Sequence, residues 1–163
     1  MKRMSVGAAV VAIAIAVAAA PFAGAAPVPQ PGASCSQAVA SAMTQLPDLM
    51  TFLQCRGLED GEFRWQSPDS PYPHSDRWLS YGPALTLHGE GQRNREIDSG
   101  EWAGYPQADD SRCEAAQLDN AAEGERTPPQ VAAGGGGQPL RVALLPMLFT
   151  VELRGYCLWQ KVQ

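Results

Sequence analysis

Features that mark a nucleic-acid-binding protein are scarce in this sequence. Only 18% of its 163 residues are charged, and 17 acidic residues outnumber 12 basic ones. No run of basic residues occurs, and a net charge of −5 at pH 7 would oppose contact with a phosphate backbone. We therefore expect no nucleic-acid partner.

Sequence motifs that carry catalysis are also absent. No G-x-S-x-G or S-x-x-K motif sets a serine beside a base, and no C-x-x-C motif offers a thiol pair for disulfide exchange. The pairs His74-x-Asp76 and His88-x-Glu90 have a spacing compatible with metal ligation in an extended chain. Because short pairs of this kind arise by chance, we interpret both histidines as surface residues and expect no metal or other cofactor.

The first 25 residues have the composition of an export signal. Lys2 and Arg3 supply a positive start, residues 6–20 are dominated by Ala, Val and Ile, and small residues occupy 23–25. This apolar run of about 15 residues is shorter than the roughly 20 that a membrane-spanning helix needs. We predict cleavage before Ala26, no integral membrane anchor in the mature chain, and a secreted, extracellular or cell-envelope location.

A single domain is expected after this signal. We predict a Pro- and Ala-rich spacer at 26–33 and one disulfide-stabilised domain at 34–163. Inside that domain, residues 121–139 lack an apolar period and contain a proline pair and four consecutive glycines. Long segments of this kind are uncommon in compact domains unless they are functional or disordered. We predict a mobile loop there and favour simple disorder over a binding lid.

A kinked helix is predicted near the start of the domain. Ser34 and Gln37 match the S-x-x-Q capping pattern, and Arg56-Gly57 has the character of a helix end. Pro47 should kink this helix, which we favour over a division into a helical hairpin. The apolar stripe that supports the helix has spacings of four and three residues and consists of Val39, Met43, Leu46, Met50 and Leu53.

All four cysteines lie in the exported part of the chain and predict two disulfides. The predicted helix would hold Cys35 and Cys55 roughly 30 Å apart, whereas a disulfide spans no more than about 7 Å between α-carbons. Each of them should therefore bond to Cys113 or Cys157. Of the two remaining pairings, we favour Cys55 with Cys113 and Cys35 with Cys157.

Short strands are predicted after residue 57. Apolar and polar residues alternate around Phe63 and Trp65, around Leu85 and Leu87, and most strongly over 143–153, where Pro146 should break or bulge the ladder. A hairpin is expected from Arg95–Ile97 to Glu101–Tyr105, with Gly100 at a positive φ. The predicted fold class is thus α+β, with the N-terminal kinked helix packed on a mostly antiparallel sheet of about five to seven short strands.

Large aromatic residues and prolines concentrate between residues 63 and 83. Most of the aromatic rings should fill the core, with Tyr72 and Trp78 exposed. Aromatic rings held by rigid loops supply contact area at little cost in conformational entropy. Tyr72, Trp78 and Tyr81 are therefore the candidate binding residues, for a glycan, a lipid or a protein, and no catalytic residue is predicted.

Binding without catalysis is the function that these patterns favour. We expect a secreted or envelope-associated interaction protein. One alternative is a small envelope hydrolase that uses Glu96, Asp98 or Glu101 as acid and base, with His88 nearby. Another is a structural secreted protein without a small ligand.

The N-terminal region and the overall composition carry a generic resemblance. From Met1 to Pro31 the chain is similar to small exported proteins of actinobacteria, mycobacteria in particular, in which an Ala-rich signal and an Ala-Pro-rich spacer precede a four-cysteine domain. The resemblance implies extracellular or envelope residence. It covers no functional motif and assigns no site residue.

Overall fold

The computed structural model describes residues 26–119 and 128–162, and in them it contains nine strands and one 3-10 turn, Gln37–Val39. The predicted export signal, 1–25, lies outside the described residues. The strands are β1 (Met43–Gln45), β2 (Phe52–Gly57), β3 (Phe63–Gln66), β4 (Arg77–His88), β5 (Gly100–Pro106), β6 (Glu114–Asp119), β7 (Gln130–Ala133), β8 (Leu140–Leu144) and β9 (Leu148–Lys161).

The long strand β9 is the centre of the sheet. Along its length it pairs antiparallel with β4, from Arg77 opposite Gln160 to His88 opposite Thr150. On its other side, the C-terminal part of β9 pairs with β5 and the N-terminal part pairs with β6. The sheet continues from β4 through β1, β2 and β3, from β5 to β8, and from β6 to β7.

Two apolar cores lie on opposite faces of the central pair β4 and β9. Trp78 and Leu79 are neighbours in β4 but enter different cores, and so do Trp159 and Leu158 in β9. Successive side chains of a strand point to opposite faces, so both strands are buried on two sides. The larger core also contains Trp102.

A buried side chain joins two strands that the backbone ladder leaves apart. The Gln117 side-chain amide in β6 donates to the Ala143 carbonyl at 3.1 Å, and its oxygen accepts the Leu145 N–H at 3.0 Å. Gln117 is 6% exposed. The Gln117 side chain therefore links β6 to the end of β8 by two hydrogen bonds, as the backbone links other neighbouring strands.

The predicted N-terminal helix is wrong, and the α+β class with it, because the described chain is almost entirely β. The region instead forms the 3-10 turn followed by β1 and β2, which pair antiparallel with Met43 opposite Gln54. Asp48 lies in the connecting loop, where its carboxylate accepts the N–H groups of Met50 and Thr51 at 2.9 and 2.8 Å. A side chain that satisfies backbone donors in this way stabilises a turn at the expense of a helix.

The disulfide pairing is the one that the sequence analysis excluded. Cys35 bonds to Cys55 and Cys113 bonds to Cys157, with α-carbons 6.0 and 5.8 Å apart. The prediction failed because it assumed a helix between Cys35 and Cys55, whereas the turn and hairpin bring their ends together. The prediction of two disulfides is confirmed, and two disulfides are typical of an oxidising compartment.

Several strands lie where they were predicted, but the one strand pairing that was predicted is wrong. β3 and β4 contain the predicted alternating residues. The hairpin at 95–105 is wrong, because Arg95–Ile97 is not a strand and β5 pairs with β8 and β9. Gly100 does have a positive φ, of 110°. The apolar segment 143–153 is divided by a turn at Pro146, between β8 and β9.

Two segments predicted to lack structure contribute to the sheet. Within the predicted spacer, the Gly32 N–H donates to the Trp65 carbonyl at 2.7 Å, and the Cys35 N–H just beyond it donates to the Phe63 carbonyl at 2.9 Å. The edge of β3 is therefore covered by this segment. Within the predicted mobile loop, β7 pairs with β6, while residues 120–127 lie outside the described part.

No helix in the described ranges is both long and apolar enough to cross a membrane.

Candidate functional site: the Asp98 groove

A polar groove of about 600 Å³ opens where the loop before β4, the connection before β5 and the end of β9 meet. We call it the Asp98 groove, after the carboxylate that joins these three segments. Its walls also include the turn before β1 and one residue of β2. The groove is lined by Ser41, Gln54, His74, Ser75, Asp76, Asp98, Lys161 and Val162.

The Asp98 carboxylate contacts three cationic or ionisable side chains. His74 Nε2 and Arg95 Nε lie 2.9 and 3.1 Å from Oδ1, and Lys161 Nζ lies 3.3 Å from Oδ2. His74 and Lys161 are 24 and 63 residues away in the chain. One carboxylate thus connects segments that the sequence keeps far apart.

The pKa of Asp98 is set by opposing effects. Partial burial of the carboxyl group raises the pKa, whereas hydrogen bonds and positive charge from His74 and Lys161 lower it. The lowering effects prevail, so the pKa lies below the ordinary aspartate value of 3.8. Asp98 is therefore ionised at neutral pH and holds its partners by charge as well as by hydrogen bonds.

Buried tryptophans of the larger core hold two loops of the groove in position. The indole N–H of Trp102 donates to the Asp98 carbonyl at 3.0 Å, and that of Trp78 donates to the Ser75 carbonyl at 3.1 Å. Both rings are almost completely buried, at 1% and 0% exposure. Since their rings are fixed by packing, the loops they bind are fixed as well.

Ser41 lines the groove from a strained backbone position. The Ala42 N–H donates to the Val39 carbonyl at 3.0 Å, which closes a turn over Ala40 and Ser41. Ala40 has φ −52° and ψ 140°, and Ser41 has φ 62°, the geometry of a type II turn. Glycine is preferred at the position of Ser41, so a non-glycine residue there is unusual.

The structure pairs the two histidines differently from the sequence motifs. His74 contacts Asp98 rather than Asp76, and Nδ1 of His88 lies 3.2 Å from Glu96 Oε2. Within residues 26–119 and 128–162, no group of three His, Cys, Asp or Glu side chains is arranged to hold a metal ion.

Glu96 has a different environment from Asp98, although only Ile97 lies between them in the sequence. Its side chain is almost fully buried, and Oε2 accepts the backbone N–H of His88 at 2.7 Å. Burial raises the pKa of Glu96, and the hydrogen bond and charge of His88 offset part of that effect. The acidic residues of the alternative hydrolase are therefore not brought together around His88. Glu96 contacts His88, Asp98 contacts His74, and Glu101 is exposed, with its backbone carbonyl accepting the Val162 N–H at 2.8 Å.

The three candidate binding residues do not form one exposed platform. Tyr72 is 61% exposed, as expected, but Trp78 is 0% exposed, so its predicted exposure is wrong. Trp78 packs edge-on against Phe52 with ring centroids 6.1 Å apart. Tyr81 is 4% exposed and its hydroxyl donates to the Gln45 carbonyl at 2.9 Å.

The sequence interpretation missed Ser41, Arg95 and Lys161. Lys161 is the one lysine beyond the predicted signal, a feature that could have drawn attention to it. The sequence around Ser41 does not indicate that this residue lies in a turn beside a groove, because only the backbone angles identify the turn. Comparisons of this chain with protein-family models, curated proteins and solved structures find no match.

Proposed function

We propose that this protein is a secreted or envelope-associated, non-enzymatic binding protein whose ligand occupies the Asp98 groove. The observation that carries the proposal is the set of contacts from the Asp98 carboxylate to His74, Arg95 and Lys161. These contacts fix donors and acceptors from three segments around one groove. Groups that are already held in position lose little conformational entropy when a ligand binds. Small-ligand sites are concave, and a few precisely placed polar groups in them fix the orientation of the ligand.

The chemistry of the groove favours a ligand rich in hydroxyl groups, such as an envelope glycan. Asp76 and Asp98 are acceptors, Lys161 is a donor, and Ser41 and Gln54 can act as both. Sugar hydroxyls donate and accept, so they can satisfy all of these groups. A hydrocarbon chain would leave them without partners, which costs free energy.

Glu96 supports binding over hydrolysis. A raised pKa is typical of a general acid, yet Glu96 is 7% exposed and its carboxylate already accepts a backbone N–H. A catalytic acid must come within hydrogen-bond reach of the substrate. The raised pKa is therefore explained by burial alone.

Location outside the cytoplasm is supported by two independent features. The first 25 residues have the pattern of an export signal. The two disulfides are of a kind that persists in oxidising compartments.

The test is binding of the purified exported chain to a panel of bacterial envelope glycans, followed by calorimetry on any ligand found. We expect Asp98→Asn to weaken binding about tenfold or more, because it removes the charge that orders Lys161 and His74. Glu114→Gln is the matched control, since it breaks the 2.7 Å ion pair with Arg154 away from the groove. It should bind as the unaltered protein does.

A second variant tests the strained wall of the groove. Ser41→Gly removes a hydroxyl from the groove while suiting the backbone at φ 62°, so it should weaken binding without loss of stability. Asn94→Gly, at φ 55° and not among the lining residues, should leave binding unchanged. Absence of glycan binding, or equal binding by Asp98→Asn, would refute the proposal.

A further inference from the structure

A second groove, of about 300 Å³, lies beside the smaller core, where the N-terminal segment meets aromatic side chains. Trp65, Tyr81 and Tyr156 border it, and so do Pro27 and Pro29 of the N-terminal segment. We call it the Trp65 groove. It shares no lining residue with the Asp98 groove.

The segment beside this groove has proline at every second position, at 27, 29 and 31. Proline restricts φ and favours an extended, polyproline-like backbone. Pro29 is buried, whereas Pro27 and Pro31 are exposed. The chain after it is fixed to β3 by the 2.7 Å hydrogen bond from Gly32 to the Trp65 carbonyl. Pro29 of this segment is therefore already packed beside the groove.

Trp65 differs from the other three tryptophans in its hydrogen bonding. The indole N–H groups of Trp78, Trp102 and Trp159 each have an acceptor at 3.0 to 3.1 Å. That of Trp65 has none in the part of the chain that the structure describes, although the residue is only 5% exposed. The indole nitrogen of Trp65 therefore lacks a partner among the described residues but is still reached by solvent. The indole N–H of Trp65, a residue that lines the groove, is therefore free to donate to a ligand carbonyl.

A proline-rich peptide matches both properties of the groove. It offers carbonyl acceptors with few N–H groups that need partners, and its extended form is ordered before binding. Grooves lined by aromatic rings bind such peptides in several unrelated domains. The geometry points to the Trp65 groove as a docking site for a proline-rich extended segment of a partner protein, with the chain's own residues 26–31 as an intramolecular competitor.

The competition can be tested with the peptide Ala-Pro-Val-Pro-Gln-Pro-Gly, which copies residues 26–32. The double variant Pro27→Ser/Pro29→Ser of the exported chain should bind this peptide about fivefold or more tightly than the unaltered chain does, because the internal segment then competes less. A peptide with alanine at every proline is the ligand control and should not bind. Calorimetry measures both affinities.

The role of the indole donor needs its own variant. Trp65→Phe, made in the double variant, keeps an aromatic ring but removes the N–H, and should weaken peptide binding about tenfold. Tyr72→Ala, an exposed aromatic residue that does not border the groove, should have no effect.

A measurement without the Trp65 substitution guards against a misfolded variant. In a ¹⁵N-labelled double variant, added peptide should shift the indole N–H resonance of Trp65 and leave the other three in place. Absence of peptide binding, a shift confined to another indole, or full affinity in a folded Trp65→Phe protein would overturn the inference.

Discussion

Gly155 occupies a position that no other residue can take without rearrangement. It has φ 86°, and a β-carbon built on it would overlap the carbonyl oxygen of Arg112. Gly61 has a similar φ of 84° but open space where a β-carbon would lie. Alanine substitutions at the two glycines therefore separate the free-energy cost of backbone strain from that of a steric clash.

We expect Gly155→Ala to lower the free energy of unfolding by about 3 kcal/mol or more, because strain and overlap add. Gly61→Ala should cost only about 1 kcal/mol, from the left-handed backbone alone. Urea denaturation of both variants gives the comparison. Equal losses would show that the backbone near Arg112 moves aside easily.

Glu96 and Asp98 should affect the pH dependence of stability in opposite directions. The lowered pKa of Asp98 means that its stabilising effect is present above the ordinary value of 3.8 and is lost as the pH falls through the folded-state pKa. The raised pKa of Glu96 means that ionisation opposes folding as the pH rises above its ordinary value of 4.5.

Glu96→Gln should therefore increase the free energy of unfolding at neutral pH, since the amide oxygen can still accept the His88 N–H without a buried charge. The increase should shrink as the pH falls, because the natural side chain is then protonated. Asp98→Asn should lower stability at neutral pH, with a loss that disappears in acid. Denaturation curves across this pH range test both signs.

At the scale of elements, the join between β6 and β8 depends on one side chain. Gln117→Leu removes the hydrogen bonds from this side chain to the Ala143 carbonyl and the Leu145 N–H, which are partly buried. We expect a loss of about 1 to 3 kcal/mol, because polar groups left partly buried without partners keep part of their desolvation cost. Gln130→Leu, at an exposed position of β7, should change stability by less than about 0.5 kcal/mol. A similar result for both would mean that water replaces the amide.

The first hairpin explains why a helical stripe was misleading. Val39, Met43 and Leu53 are buried, so the stripe did identify core residues, but Met50 is 81% exposed in the loop. Spacings of three and four fit a helix and equally a turn followed by two strands. The Pro47-Asp48 pair was the available signal, because proline followed by aspartate favours a turn.

Strands with strict alternation were easier to predict than their partners. Residues 63–66 and 85–88 alternate because one face of each is buried, which is a local property. The pairing of β9 with β4, β5 and β6 is set by contacts between distant segments. The spacing of apolar residues within one strand carries no information about these contacts.

At the scale of the whole molecule, the candidate site could not be predicted from local sequence either. Tyr72, Trp78 and Tyr81 were selected because they lie close together in the sequence, yet two of them fill cores. The Asp98 groove is built from residues between 41 and 162. Such a site becomes visible only when the sheet has brought its parts together.

The two disulfides constrain the whole chain unequally. Loops of 20 and 44 residues are closed by Cys35–Cys55 and Cys113–Cys157, so the chain-entropy model assigns them about 3 and about 4 kcal/mol. Cys113 and Cys157 are both 0% exposed, whereas Cys35 is only half-buried. We expect a mild reductant to open Cys35–Cys55 first.

Mass mapping of partly reduced, alkylated protein tests this order. Label should appear on Cys35 and Cys55 before the other pair. Replacement of Cys113 and Cys157 by alanine should lower stability more than replacement of Cys35 and Cys55. Early label on Cys113 would show that the larger core opens more readily than its burial implies.

The central place of β9 has a consequence for biogenesis. A ribosome makes β4, β5 and β6 before it makes the strand that all three need as a neighbour. Until then, the emerging polypeptide lacks the middle of its sheet and one half of its Cys113–Cys157 crosslink. Such a chain cannot complete its sheet until synthesis is nearly over, which would help an exported chain, as proposed above, to pass through a translocation channel that admits only extended polypeptide.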